Sequence, residues 1–252
     1  IPARTSSRET SAIGDLGGRI GSCIDYLDGM EMMAEALSSG MSLEGAGEAL
    51  SIGATEAYLK SSYGNPMDSH LHTGTNARRY LVAMKDVSQK YKVQALITGL
   101  TGPECINGSR VSWDKTDLDN KLESLPDRDQ NELLETITES IESQPLADWR
   151  GIGVDNLVLE PDFQQTILLG KQYADRRYSP EALFKRLGML ISRDDFTELH
   201  GIKHHQAIVD EFYETREPYR WKHLVAAVKS AAVIEGGKER NIYDQTMELL
   251  KV

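Results

Sequence analysis

From Ile13 the apolar residues recur at Leu16, Ile20, Ile24, Leu27, Met30, Ala34 and Leu37. That is the 3.6-residue spacing of an amphipathic helix. Gly14, Gly17, Gly18, Gly21 and Gly29 interrupt it, and each costs about 1 kcal/mol relative to alanine in a helix. The pattern therefore predicts a break near Gly17-Gly18, or a neighbouring backbone close enough to need glycine. A second glycine-bearing helix, residues 43–59, opens at Ser42 and carries Gly45, Gly47 and Gly53. Two such helices in succession predict a tightly packed pair. Residues 63–76 (YGNPMDSHLHTGTN) have the composition of a loop. The helix after it should align Tyr80, Met84, Val87 and Tyr91. The run KVQALITGL, 92–100, predicts a strand, and Asn107-Gly108 suits the tight turn of a β-hairpin within 92–113.

Between Asp114 and Glu142 ten acidic residues face three basic ones, which predicts a helix with a solvated acidic face. Asp127 and Gln130 have the spacing of a capping box ahead of Leu134, Ile137 and Ile141. Residues 144–162 lack helical period and predict a long connection, with a short strand at 157–159. Further on, Ser179-Pro180 is a helix start with proline in the first turn. Ser192 and Asp195 predict the start of a helix running to about Tyr213. Pro218 predicts another, with Trp221, Val225, Val228 and Ala232 inward and Gly236-Gly237 at its end. A last helix carries Ile242, Thr246 and Leu249. The expected fold is all-α with at most one small β-hairpin near 92–113, a two-lobed multi-helix bundle. The expected division is an arm at 1–10, an N-terminal lobe at 11–143, a connection at 144–160 and a C-terminal lobe at 161–252.

The net charge of −11 on 252 residues argues against a protein that coats nucleic acid or anionic membrane with its whole surface. It leaves room for a local basic groove. The apolar runs fall far short of the ~20 residues that span a bilayer. Cys23 and Cys105 have no metal-binding or redox spacing. Two free thiols suit a reducing, intracellular compartment such as the cytoplasm, or a particle assembled there.

Five of the six histidines fall in two clusters. His200 and His204 are four residues apart, and Glu211 shares their stripe at 100° per residue. On this reading the stripe is the polar face of its helix, and Leu199, Ile202, Val209, Phe212 and Tyr213 are the apolar one, with His205 in the core. Two imidazoles at that spacing can reach one divalent transition metal. His70 and His72, beside Asp68, would point the same way from an extended segment. If the two clusters met, they would supply a transition-metal site. Two basic stretches stand out as well. One is Arg78, Arg79, Lys85, Lys90 and Lys92. The other is Lys171, Arg176, Arg177, Lys185, Arg186 and Arg193. Facing one another they would hold phosphates, RNA or an acidic partner. No Walker A loop, GxGxxG fingerprint or GxSxG elbow is present. The leading expectation is a homo-oligomeric binding or assembly protein: a scaffold, coat or nucleocapsid-like subunit with a phosphate-bearing or acidic partner. The second is a metal-dependent helical hydrolase or oxygenase. The third is a small-molecule-binding regulator.

Overall fold

The computed structural model describes residues 7–23, 26–61, 66–97, 115–144, 161–194, 199–236 and 242–251. These residues form twelve α-helices and no strand, which makes the chain an all-α multi-helix bundle. In order they are α1 Ser7–Ile20, α2 Tyr26–Ser38, α3 Leu43–Lys60, α4 His70–Ala83, α5 Gln89–Ile97 and α6 Lys115–Glu123. They continue as α7 Gln130–Glu142, α8 Pro161–Asp175, α9 Pro180–Ile191, α10 His200–Glu214, α11 Trp221–Gly236 and α12 Ile242–Leu250. A 3₁₀ turn, Pro66–Ser69, leads into α4.

The glycine pattern explains the first pair. A Cβ on Gly17 would lie 2.7 Å from Ile52, and one on Gly53 would lie 2.7 Å from Ile20. The bare backbones let α1 and α3 pack closely, which alanine at either position would prevent. The helix breaks after Ile20, and Ser42 caps α3 by accepting from the Gly45 N–H. Ile13, Leu16, Ile20, Met33, Leu50, Val82 and Leu96 form one buried cluster around this pair. A larger cluster is centred on α11, where Leu224, Ala226, Ala227, Val228, Ala231 and Ala232 are buried. It takes Tyr58 from α3, Leu71 from α4, Ile137 from α7, Phe163 from α8, Leu187 from α9 and Phe212 from α10. Helices from both sides of 144–160 thus share one core. Residues 145–160, with the expected strand at 157–159, lie outside the described residues.

Several local expectations need correction. Residues 7–10 belong to α1 rather than to an arm, and the Arg216 guanidinium holds Thr10 at 3.1 Å. Residues 70–76 are the first half of α4, not loop. Residues 92–97 are helical, not a strand; the rest of the expected hairpin falls outside the described residues. A run this short does not fix its own period, and packing of Leu96 decides it, since that side chain is wholly buried beside Gly47 of α3. The capping box of α7 is Asp129 with Glu132, two residues beyond the expected one. Ser192 ends α9 rather than opening the next helix.

Candidate functional site

The orientation of α10 is rotated from the one its apolar residues suggest: Phe212 is buried and Val209 packs against the core, but His204 and Glu211 turn inward with them. Gly201, His204, Ala207, Ile208, Glu211 and Phe212 are buried, whereas Leu199 is 67% exposed and Ile202 and Tyr213 are about half exposed. The small residues Gly201 and Ala207 share the inward stripe. They let α10 settle on α4 and α11, and those helices supply polar partners for the buried imidazole and carboxylate. A polar stripe with matched partners outweighs the exposure of three apolar side chains.

Because residues 70–72 are helical, His70 and His72 point in different directions, contrary to the extended reading. His72 is fully buried, and its Nδ1 lies 2.9 Å from His204 Nε2. The rings of His70 and His200, both half-buried, meet edge to face at 5.8 Å. The two clusters therefore do meet. The chain of contacts continues on both sides. His204 Nδ1 is 3.0 Å from the Ser230 hydroxyl. His72 Nε2 is 3.1 Å from Thr55 Oγ1, and His223 Nδ1 is 3.0 Å from the same oxygen.

Proton positions follow from partner chemistry. The Thr55 hydroxyl donates to the Ser51 carbonyl at 2.9 Å, so its oxygen accepts from His72 Nε2–H and His223 Nδ1–H. His72 Nδ1 then accepts from His204 Nε2–H, and His204 Nδ1 accepts from Ser230. His223 Nε2 accepts from Thr215 or Ser51, at 3.3 and 3.4 Å. In this arrangement all three rings are neutral, each with one donor and one acceptor. Burial, together with the Lys229 charge, lowers His72 to about 3. Burial also holds His204 and His223 well below the ordinary histidine range. His72, His205, Lys229 and His70 add to this at His204, and His72, Arg79 and Lys222 at His223.

Beside the imidazoles, Lys229 Nζ donates to the carbonyls of Tyr58 and Ser61 at 2.5 and 2.6 Å. It lies 4.5 Å above the Tyr58 ring. An ammonium here meets the negative end of α3. Burial lowers Lys229 to about 7 against the opposing pull of Asp68; Asp68 accepts from the Ser61 hydroxyl. Glu211 is taken by Arg79, which also reaches the Glu214 carbonyl at 2.8 Å, and by Asn76 at 3.2 Å. The expected metal ligands are thus divided into a His72–His204 pair, a His70–His200 pair and a Glu211–Arg79 ion pair. Among the described residues no group of three or more His, Cys, Asp or Glu is arranged to hold a metal ion.

The two basic stretches differ in how their charges are paired. The second is matched to acids of neighbouring segments. Arg176 pairs with Asp127, Arg186 with Glu135 at 2.7 Å and Arg193 with Glu142 at 3.0 Å. Lys171 pairs with Asp175 at 2.8 Å, and Arg177 pairs with Glu217 at 3.4 Å and stacks 4.4 Å over Trp221. Lys185 is exposed. In the first stretch Arg79 is occupied by Glu211, and Arg78 is half-buried. Lys85 and Lys90 are exposed and Lys92 half-buried, and among the described residues none of them pairs with an acid. Around them Tyr80 is 71%, Tyr91 61% and Met84 43% exposed.

The residues missing from the sequence reading are Thr55, His223, Lys229 and Ser230. One signal was available: Lys229 and Ser230 interrupt the otherwise apolar run LVAAVKSAAVI, 224–234. A polar pair inside a helix that is apolar all round marks a buried partner on a neighbouring helix. The molecule's class rests on its fold, an all-α bundle stitched through its core by a histidine network. Neither a protein-family model nor a curated protein or solved structure matches the chain.

Proposed function

We propose that the chain is a helical binding and assembly protein whose working surface is the α4–α5 end, and that this surface takes a phosphate-bearing or acidic partner. One observation carries the reading. Lys85, Lys90 and Lys92 lack acidic partners among the described residues and share α4, α5 and the turn between them with two exposed tyrosines, while in the other basic stretch every cation but Lys185 is paired with an acid of the chain. Exposed cations beside exposed aromatic rings form a surface that attracts anions and stacks planar groups. No helix among the described residues is long and apolar enough to cross a membrane. The test is retention on a polyanion column at low salt. Wild-type protein should bind and elute as salt rises, and the Lys85→Glu, Lys90→Glu, Lys92→Glu variant should pass straight through. Equal retention of both proteins would remove the reading.

A metal-dependent enzyme is the second reading, favoured by the meeting of the two histidine clusters. It stands second because both ring nitrogens of His72 and of His204 already have protein partners. Stoichiometric metal in tag-free protein, lost in His204→Asn but not in His205→Asn, would reverse that order.

A further inference from the structure

The α4–α5 surface has a counterpart elsewhere on the same chain. Between α1 and α2 lies a groove of about 750 Å³, within the roughly 300–1,000 Å³ of sites that hold ligands or side-chain anchors. Leu16, Met32 and Met41 give it apolar walls. Methionine is an adaptable lining that moulds to an incoming side chain. Glu9, Asp15 and Glu35 also line it, against a single Arg19. Glu9 accepts a hydrogen bond from Ser42 at 2.9 Å, whereas Asp15 and Glu35 are exposed. The α4–α5 surface inverts this pattern. Tyr80, Met84 and Tyr91 project, and Lys85, Lys90 and Lys92 outnumber Asp86. Both surfaces sit on helices packed against α3, and α2 also packs on α5.

The geometry points to a second copy of this chain as the acidic partner: the α4–α5 surface of one subunit seats its tyrosines and methionine in the α1–α2 groove of the next, with Lys85 and Lys90 against Asp15 and Glu35. This rests on the binding and assembly reading above and names its partner. Each copy carries a net charge of −11, so the local pairing of Lys85 and Lys90 with Asp15 and Glu35 has to outweigh the general repulsion between copies. The two docking surfaces differ, so the contact is head to tail. Such a contact gives a ring if the rotation closes and a filament if it does not.

Sedimentation velocity on the full chain tests this, at low salt and at about 0.15 M, where the screening length is ~8 Å. The wild type should form species larger than a monomer at low salt and lose them as salt rises. The surface variant Lys85→Glu with Lys90→Glu should stay monomeric, and so should the groove variant Asp15→Lys with Glu35→Lys. An equimolar mixture of the two should assemble again, because each acidic face then finds a basic one. Ala36→Trp fills the groove without touching the lysines; it should abolish assembly yet keep polyphosphate binding. Far-ultraviolet dichroism confirms that each variant is folded. A wild type that stays monomeric at low salt while binding polyphosphate or a single-stranded oligonucleotide overturns the second-copy partner and leaves the binding reading intact. A wild type that neither assembles nor binds polyanions removes both. Assembly that survives the groove variant and Ala36→Trp alike overturns the proposed surfaces.

Discussion

The two basic regions of this chain look alike in sequence and differ in structure. Along α8 and α9 and the turns that follow them, every cation of the stretch but Lys185 has an acid of its own helix, of α7 or of a neighbouring turn within reach, so the surface there is locally balanced. Around α4 and α5 the cations divide. Arg79 turns inward to Glu211, and Lys85, Lys90 and Lys92 are left beside exposed rings. A run of basic residues therefore says little about function until its acid partners are known. Asp127, Glu135 and Glu142 lie some 50 residues from the arginines they neutralise.

The largest effect should come from the division inside the first region. Arg79→Ala leaves Glu211, 1% exposed, as a buried carboxylate without its guanidinium. Breaking such a pair costs roughly 3–5 kcal/mol. Lys85→Ala should stay within about ±0.5 kcal/mol, as an exposed side chain does. Chemical denaturation of both variants measures the contrast. Equal stabilities would mean that Arg79 is a surface cation like its neighbours.

Acid should separate core from surface. The folded-state pKa of each of His72, His204 and His223 is lowered by burial, so their neutral network contributes fully above the ordinary histidine value near 6.5. That contribution is lost as pH falls through 6.5 toward the folded values. With His72 held at about 3, that ring alone withdraws about 2 kcal/mol between pH 7 and pH 5. Urea melts at pH 7 and pH 5 should show a clear loss of stability, while polyanion binding by the folded protein holds or strengthens. Unchanged melts would contradict the neutral network. His204→Leu should already be less stable at pH 7, because it orphans His72 Nδ1 and the Ser230 hydroxyl.

The smallest effect belongs to the second region. Arg186 and Glu135 are both substantially exposed, and exposed pairs contribute about 0.2–1 kcal/mol. A double-mutant cycle on Arg186 and Glu135 should return a coupling in that range. A coupling of several kcal/mol would mark the pair as a structural anchor rather than surface neutralisation.

Helix content was legible because periodicity and caps are local. Ser42, Ser179-Pro180 and the glycines of α1 and α3 announce their elements directly. The α5 segment was not, since a single buried leucine against Gly47 decides it. The facing of α10 was hidden for a related reason. Apolar periodicity assumes that the core is apolar, and here α4 and α11 offer His72, Arg79 and Ser230 to the polar stripe of α10. The inward placement of Gly201 and Ala207 beside His204 was the available hint. That His72 meets His204 across 132 residues is a product of topology, which spacing along the chain does not encode. The same holds for the surface: the basic stretches were visible in the sequence, and their pairing was not.

The most direct test of the account places the two regions side by side. One variant reverses Lys85, Lys90 and Lys92 to glutamate, and another reverses Arg176, Arg177 and Arg186. Fluorescence anisotropy with end-labelled polyphosphate, read across a salt series, gives affinity and salt slope for each. If three lysine contacts drive binding, the first variant should lose nearly all affinity at low salt. In the wild type the slope of log affinity against log salt should be about −2 to −3, as for neutralisation of three phosphates. The second variant should keep most of the wild-type affinity and slope, because its cations were already engaged within the chain. Loss of binding in the second variant, with the first unaffected, would contradict the account.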